Sequence, residues 1–421
     1  MRTSIAVTHI ALSLAFTTTS ALSEWIQYRG PQSDGSTAEA LPKSMGFGDP
    51  VWRIKLNTGF SSFVADADTV YTIERREFDG VELETLLAVD QASGKERWAK
   101  PMGLARYDGG GDSGAKNNKG GDGPRSTPAV SNGRVFVIDA SLGVYAFEAK
   151  TGDELWRHDV MKKFNGSKIK WLNAASPLLD GEHLYMAGGG PGESFLAFEQ
   201  ATGKLTWKSG DAKMTHATPI AADLHGERQI LFFNQKGVTA MSPDKGAELW
   251  HHDFPYRTSS AASPVVFEDI VYCSAGYGVG STAFRVKLDA EAFSTKELWR
   301  EPGNKMANHW SSPVCRDGYL YGLFGFKKYG EAPLSCYDIR TGKLKWAEEG
   351  FGPGHLTMVG DQLLVLGDVG QLVVAAADPG GYREVAKKDL LDGKCWTTPI
   401  FSGGKIYARS ATEGICVMPK S

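Results

Sequence analysis

An all-β ring of eight four-stranded blades, a β-propeller, is the fold this sequence predicts, and three observations predict it. A motif ending in tryptophan recurs six times. A second motif built on Ser/Thr-Pro precedes it at blade-like spacing. The outer strand that the last copy lacks is found near the start of the chain.

The first motif reads AVDQASGKERW (88–98), AFEAKTGDELW (146–156), AFEQATGKLTW (197–207), AMSPDKGAELW (240–250) and CYDIRTGKLKW (336–346), with a looser, insertion-bearing copy from Asp289 to Trp299. Thr-Gly after an acidic residue is a turn signal, because glycine takes positive φ and Asp or Thr bonds local backbone. Each copy is therefore strand, turn, strand, with the tryptophan on the outermost strand, where a flat indole covers the neighbouring blade. Ala or Cys at the first position leaves room for it. Trp52, Trp98, Trp156, Trp207, Trp250, Trp299 and Trp346 take this docking slot, and their expected role is structural.

The second motif places a Ser/Thr-Pro step before a few apolar residues, a polar turn and a Val-Tyr strand. Its copies are STPAVSNGRVFV, ASPLLDGEHLYM, ATPIAADLHGERQILFF, ASPVVFEDIVYC, SSPVCRDGYLYG and TTPIFSGGKIYA, with two degenerate ones, SSFVADADTVYT and LTMVGDQLLVL. The proline slots are Phe63, Pro128, Pro177, Pro219, Pro264, Pro313, Met358 and Pro399, spaced as four-stranded blades require. The final copy ends at GICVM with no tryptophan strand after it. PVWRIKL (50–56) supplies that strand, so the ring is expected to close without a free sheet edge. Blade seven has no tryptophan in the slot and is expected to be the weakest.

Three segments follow: a signal peptide at 1–23, a leader at 24–49 and the propeller at 50–421. Arg2 opens a short basic start, residues 5–21 are apolar, and Ala21-Leu22-Ser23 offers small residues for cleavage before Glu24. No later stretch reaches the ~18 apolar residues of a membrane helix. The expectation is export to the periplasm or beyond. A net charge of −3 without a basic run excludes nucleic acid as partner. The five cysteines (273, 315, 336, 395, 416) form no Cys-x-x-Cys pair, so neither a disulfide framework nor a zinc site is expected.

The Ala-x-Asp-x-x-Thr-Gly-x-x-x-Trp pattern resembles the tryptophan-docking motif of pyrroloquinoline-quinone (PQQ) repeat propellers. Trp25, Arg29, Gly30, Pro31 and Gly35, with GPRSTP (123–128) and SAGYGVGS (274–281), resemble the secreted bacterial members. The resemblance implies two functional classes. One is the quinoprotein alcohol dehydrogenases, which hold PQQ and Ca²⁺ on the propeller axis. The other is a cofactor-free scaffold, as in the propeller lipoprotein that assists outer-membrane β-barrel assembly.

In such a ring, the residue three before each proline slot faces the axial funnel: Phe60, Arg125, Ala174, His216, Ala261, Trp310, His355 and Trp396. One position earlier come Asn173, Thr215, Ser260, His309 and Cys395. Arg125, Asn173, His216, His309, Trp310, His355 and Trp396 are thus the ligand-binding candidates. Aromatic planes with a few polar groups suit a flat or sugar-like ligand or a peptide. The adjacent cysteine pair that many quinoproteins place over the quinone is missing, and their Glu, Asn and Asp calcium ligands have no counterpart in the ring positions. No catalytic residue and no metal ligand is therefore assigned. The Gly/Asp-rich stretch 108–123, with Asp108, Asp112, Asn117, Asn118 and Asp122, reads as a surface loop rather than a calcium loop. The expected function is a monomeric, non-catalytic scaffold presenting its funnel to an envelope protein, peptide or glycan. The alternative is a PQQ-dependent dehydrogenase of a small alcohol or sugar.

Overall fold

The computed structural model describes residues 24–107, 123–256, 260–290, 292–325 and 332–420. The signal peptide at 1–23 and nearly all of the 108–123 stretch lie outside the described residues.

Eight antiparallel four-stranded blades form, with innermost strands Val64–Asp66, Ala129–Ser131, Leu178–Asp180, Ile220–Leu224, Val265–Phe267, Val314–Arg316, His355–Val359 and Ile400–Ser402, numbered here as blades 1 to 8. Each begins just after, or around, its proline slot. Blade 8 is completed by Trp52–Lys55 pairing with Glu413–Val417, Trp52 opposite Cys416. The ring closes as the repeat count requires.

Strand register explains the tryptophan motif. Its first residue and its tryptophan are cross-strand partners: Ala88 faces Trp98, Ala146 Trp156, Ala197 Trp207, Ala240 Trp250 and Cys336 Trp346, while Trp299 faces Ala283, so the looser copy begins there and not at Asp289, which pairs with Ala292 in the lengthened hairpin. A bulge follows directly in each of these six pairs, which re-aims the outer strand. In blade 7 the same register sets Val374 against Ala386, so two aliphatic residues fill the space.

The indoles dock forward onto the next blade. Nε1 of Trp52, Trp98, Trp156, Trp207, Trp299 and Trp346 donates to the carbonyl of Gln91, Ala149, Gln200, Pro243, Ile339 and Asp378, respectively. Trp250 instead donates to Gln229 Oε1 of its own blade. The glycine of the following turn lies under the indole. Gly246 has φ +61°, and a Cβ there would stand 2.4 Å from Trp207. Gly226 has φ +79° but open space. Gly226→Ala is expected to cost only the left-handed strain of ~1–2 kcal/mol. Gly246→Ala adds overpacking of ~1–3 kcal/mol. Denaturant midpoints of the two variants check the difference.

Apolar clusters bridge the blade faces. One joins Trp52, Tyr407 and Cys416 of blade 8 to Tyr71 and Leu87 of blade 1 and Val130 and Val137 of blade 2, with Trp25 of the leader. The cysteines are free thiols, and Cys273, Cys336, Cys395 and Cys416 are buried.

The leader does more than precede the ring. The carbonyls of Trp25 and Ile26 accept from the amides of Ala65 in blade 1 and Val130 in blade 2. The Gln27 carboxamide bonds both N–H and C=O of Leu179 in blade 3. Two residues later, Arg29 Nη2 donates to Pro313 O at blade 6. Ser36–Thr37 then pairs in parallel with Met358–Val359 of blade 7, and Glu39 accepts from Gly403 and Gly404 of blade 8. The segment thus passes across the axis and joins six blades on the side of their first hairpin turns. Trp25, Gln27 and Arg29 are all buried. Blade 7 carries this fifth strand in addition to its own four.

Candidate funnel site

The face opposite the leader gathers the residues that the repeat positions indicate. Trp310, from the entry to blade 6, and Trp396, from the entry to blade 8, meet beside the entry to blade 7, Phe351-Gly352-Pro353-Gly354-His355. Their ring centroids are 4.8 Å apart at 31°. Phe60 lies 5.4 Å from Trp396, and His309 5.2 Å from Trp310. Tyr277, from the loop between the second and third strands of blade 5, meets His309 edge-on at 4.7 Å. Trp171 stacks on Tyr277 at 6.2 Å and 14°, and His216 lies 6.3 Å from Trp171. The result is a continuous chain of seven rings drawn from six blades.

Trp171 and Tyr277 are not at the ring positions that the sequence singles out. Trp171 is, however, one of the four tryptophans outside the docking slot, with Trp25, Trp310 and Trp396. Trp171, Leu172 and Tyr277 all adopt positive φ, at 66°, 61° and 57°. Such conformations cost ~1–3 kcal/mol each and cluster where geometry serves binding. Polar anchors hold the segment: Arg125 Nη1 donates to Trp171 O at 2.8 Å, and His216 Nε2 contacts Leu172 O at 2.7 Å. Lys170 sits 4.5 Å over Trp171 and Lys394 4.4 Å over Trp396.

The remaining candidates are more deeply set. Asn173 is buried, and its carboxamide is engaged by Asp139 O, Ala175 O and Ala175 N. It positions the Trp171 segment rather than facing the funnel. His355 is buried beside Thr398, with Nδ1 3.3 Å from the hydroxyl. Beneath Arg125 lies a carboxylate pair. Glu84 accepts from Tyr107 at 2.6 Å and Ala140 N at 3.0 Å, and Asp139 accepts from Ser141 N, Gly143 N and Tyr145. Arg125 lies 5.4 Å over the Tyr107 ring.

Burial sets the charge states. It pushes His216 down to about 4, with Arg125 adding repulsion, and His309 and His355 down to about 3. These imidazoles are neutral at pH 7. Burial, reinforced by the Asp139 charge, raises Glu84, and burial raises Asp139. The two effects have opposite signs. Between pH ~6.5 and ~4 the unfolded chain binds protons that the folded histidines refuse, so stability is lost as pH falls through that window. A raised carboxyl stabilises below the ordinary carboxylate range, and its contribution is lost as pH rises beyond it. Thermal midpoints in a pH series are therefore expected to fall on the acid side, and His355→Gln to shallow that limb. Glu84→Gln is expected to flatten the alkaline limb.

The eight ring positions do not supply the oxygen set that the calcium of the dehydrogenases requires. A hard cation requires a set of oxygen ligands, whereas the eight ring positions carry no carboxylate, and the Asn173 amide is committed to backbone. Among the described residues no group of three or more His, Cys, Asp or Glu side chains has metal-holding geometry. Two stacked rings admit a planar guest only when ~7 Å apart, twice the carbon contact distance. Trp310 and Trp396 are closer than that.

Comparison with known proteins agrees with the ring. The profile of the PQQ-repeat family described as outer membrane protein assembly factor BamB matches residues 82–321. The BamB of Shewanella oneidensis is 24% identical over 257 residues, which is 58% of this chain and 62% of that protein. The BamB of Moranella endobia is 25% identical over 364 residues, 80% of this chain and 87% of the other. The crystal structure of quinohemoprotein alcohol dehydrogenase from Comamonas testosteroni superposes with a TM-score of 0.65 at 13% identity, covering 95% of this chain and 82% of that one. At that identity the likeness is one of fold alone.

Proposed function

This chain belongs to the PQQ-repeat family described as outer membrane protein assembly factor BamB, and from that membership we propose that it is an exported, non-catalytic scaffold whose funnel face holds a protein segment in the cell envelope. The observation that carries the reading is the chain of seven rings across the funnel. Aromatic anchors of this kind dominate protein recognition energetics, and no oxygen cage accompanies them among the described residues. The signal-peptide pattern at 1–23 supports export, and no helix of the described residues is long and apolar enough to cross a membrane.

A photo-crosslinking residue in place of Tyr277, which is half-exposed at the rim, tests the proposal in the native cell. Crosslinks to envelope protein that disappear in the Trp310→Ala, Trp396→Ala double variant are expected. Titration of the chain from Glu24 with PQQ and Ca²⁺ is the counter-test. Stoichiometric binding with reduction of an electron acceptor by alcohols would overturn the scaffold reading in favour of a dehydrogenase.

A further inference from the structure

We propose that the Trp310–Trp396 pair is the seat for an extended, proline-containing peptide segment. The inference rests on the scaffold function proposed above and names the chemistry of its partner.

The chain supplies its own precedent. Trp310 Nε1 donates to the carbonyl of Pro353, at 2.8 Å, within the Gly352-Pro353-Gly354 entry to blade 7. One indole of the pair is thus already engaged by a prolyl carbonyl. The other is not: Trp396 Nε1 is buried and meets no hydrogen-bond partner among the described residues. Nor does His355 Nε2, at the entry to blade 7. A buried donor left without an acceptor costs ~1–3 kcal/mol, and such groups in a folded protein call for an occupant. A second prolyl carbonyl on Trp396 would repeat the arrangement found on Trp310.

Donor and acceptor balance selects the class of occupant. Proline brings a carbonyl and no N–H, so a proline-containing stretch asks its receptor for donors and apolar planes. The funnel offers indole and cationic donors with aromatic faces, and its ring positions carry no carboxylate. A polyproline II segment also brings little conformational entropy to lose, which is why aromatic-lined grooves take such segments in other folds. Phe60 and His309 extend the aromatic lining on either side of the pair, and Tyr277 and Trp171 carry it to the rim.

The test uses the chain from Glu24, ¹⁵N-labelled at tryptophan, with N-acetyl octaproline amide as probe. Octaglycine amide and chitohexaose serve as comparisons. The Trp396 indole resonance is identified by its loss in Trp396→Phe. Octaproline is expected to shift that resonance saturably while the Trp25 indole stays fixed. Affinity should fall about tenfold or more in Trp310→Ala, and Trp396→Phe, which keeps a ring in place, should weaken it with an unchanged thermal midpoint. No shift at millimolar octaproline overturns the inference. So does a shift with chitohexaose alone, which would make the seat a carbohydrate site. If octaproline fails while envelope protein still crosslinks through position 277, only this inference falls. If both fail, the scaffold function falls with it.

Discussion

Arg409→Ala is expected to destabilise the ring more than any other single polar substitution, by at least ~3 kcal/mol, because it leaves three backbone carbonyls without their donor at ~1–3 kcal/mol each. The side chain is fully buried at the seam between the last blade and the first. Its Nη1 donates to Thr72 Oγ1 and Ile73 O, Nη2 to Gly59 O and Nε to Ser410 O. Burial lowers the guanidinium to about 10, still charged at neutral pH. Arg409→Lys keeps the charge but loses the planar fork that reaches several acceptors at once, so most of the loss should persist. Denaturant unfolding measures both. A midpoint for Arg409→Ala within error of the parent would show that the seam is held by packing and the Trp52 strand alone.

Trp25→Ala should have the next largest effect. A fully buried indole removed from a packed site costs ~3–5 kcal/mol, here 1% exposed between the leader and blades 1 and 2. The consequence should be local as well as global. The amides of Ala65, Val130, Met358 and Gly360 are bonded to leader carbonyls, and their hydrogen exchange should accelerate together when the leader detaches. Amides deep in blade 4, which the leader does not bond, should keep the protection that global stability allows. Uniform acceleration across all blades would mean that the leader is inseparable from the ring.

The architecture was legible because a propeller repeats its instructions. The proline slots placed every innermost strand, and the pairing of Ala or Cys with Trp emerged as strand register. Repeat position also indicates Trp310 and Trp396 for the same reason, and their rings lie together in the structure. Trp171 and Tyr277 were not legible in this way, because they lie in connections that obey no repeat and are aimed by left-handed backbone at non-glycine residues. Composition gives no sign of such conformations. Asn173 shows the converse: a correct position around the ring says nothing of where an amide turns, and local backbone claimed it. The leader was recognisable as a segment, but its path across the axis depends on single long-range bonds from Gln27 and Arg29 that leave no pattern in sequence.

The closing strand also sets an order in time. Trp52–Lys55 can find its partner only once Glu413–Val417 exists, so during synthesis this early strand has no partner until the rest of the ring has been made. Pairings so distant in sequence are slow to form, and exposed edges invite other chains. Joining the two ends of the ring is therefore also what removes the edge that either end would otherwise present.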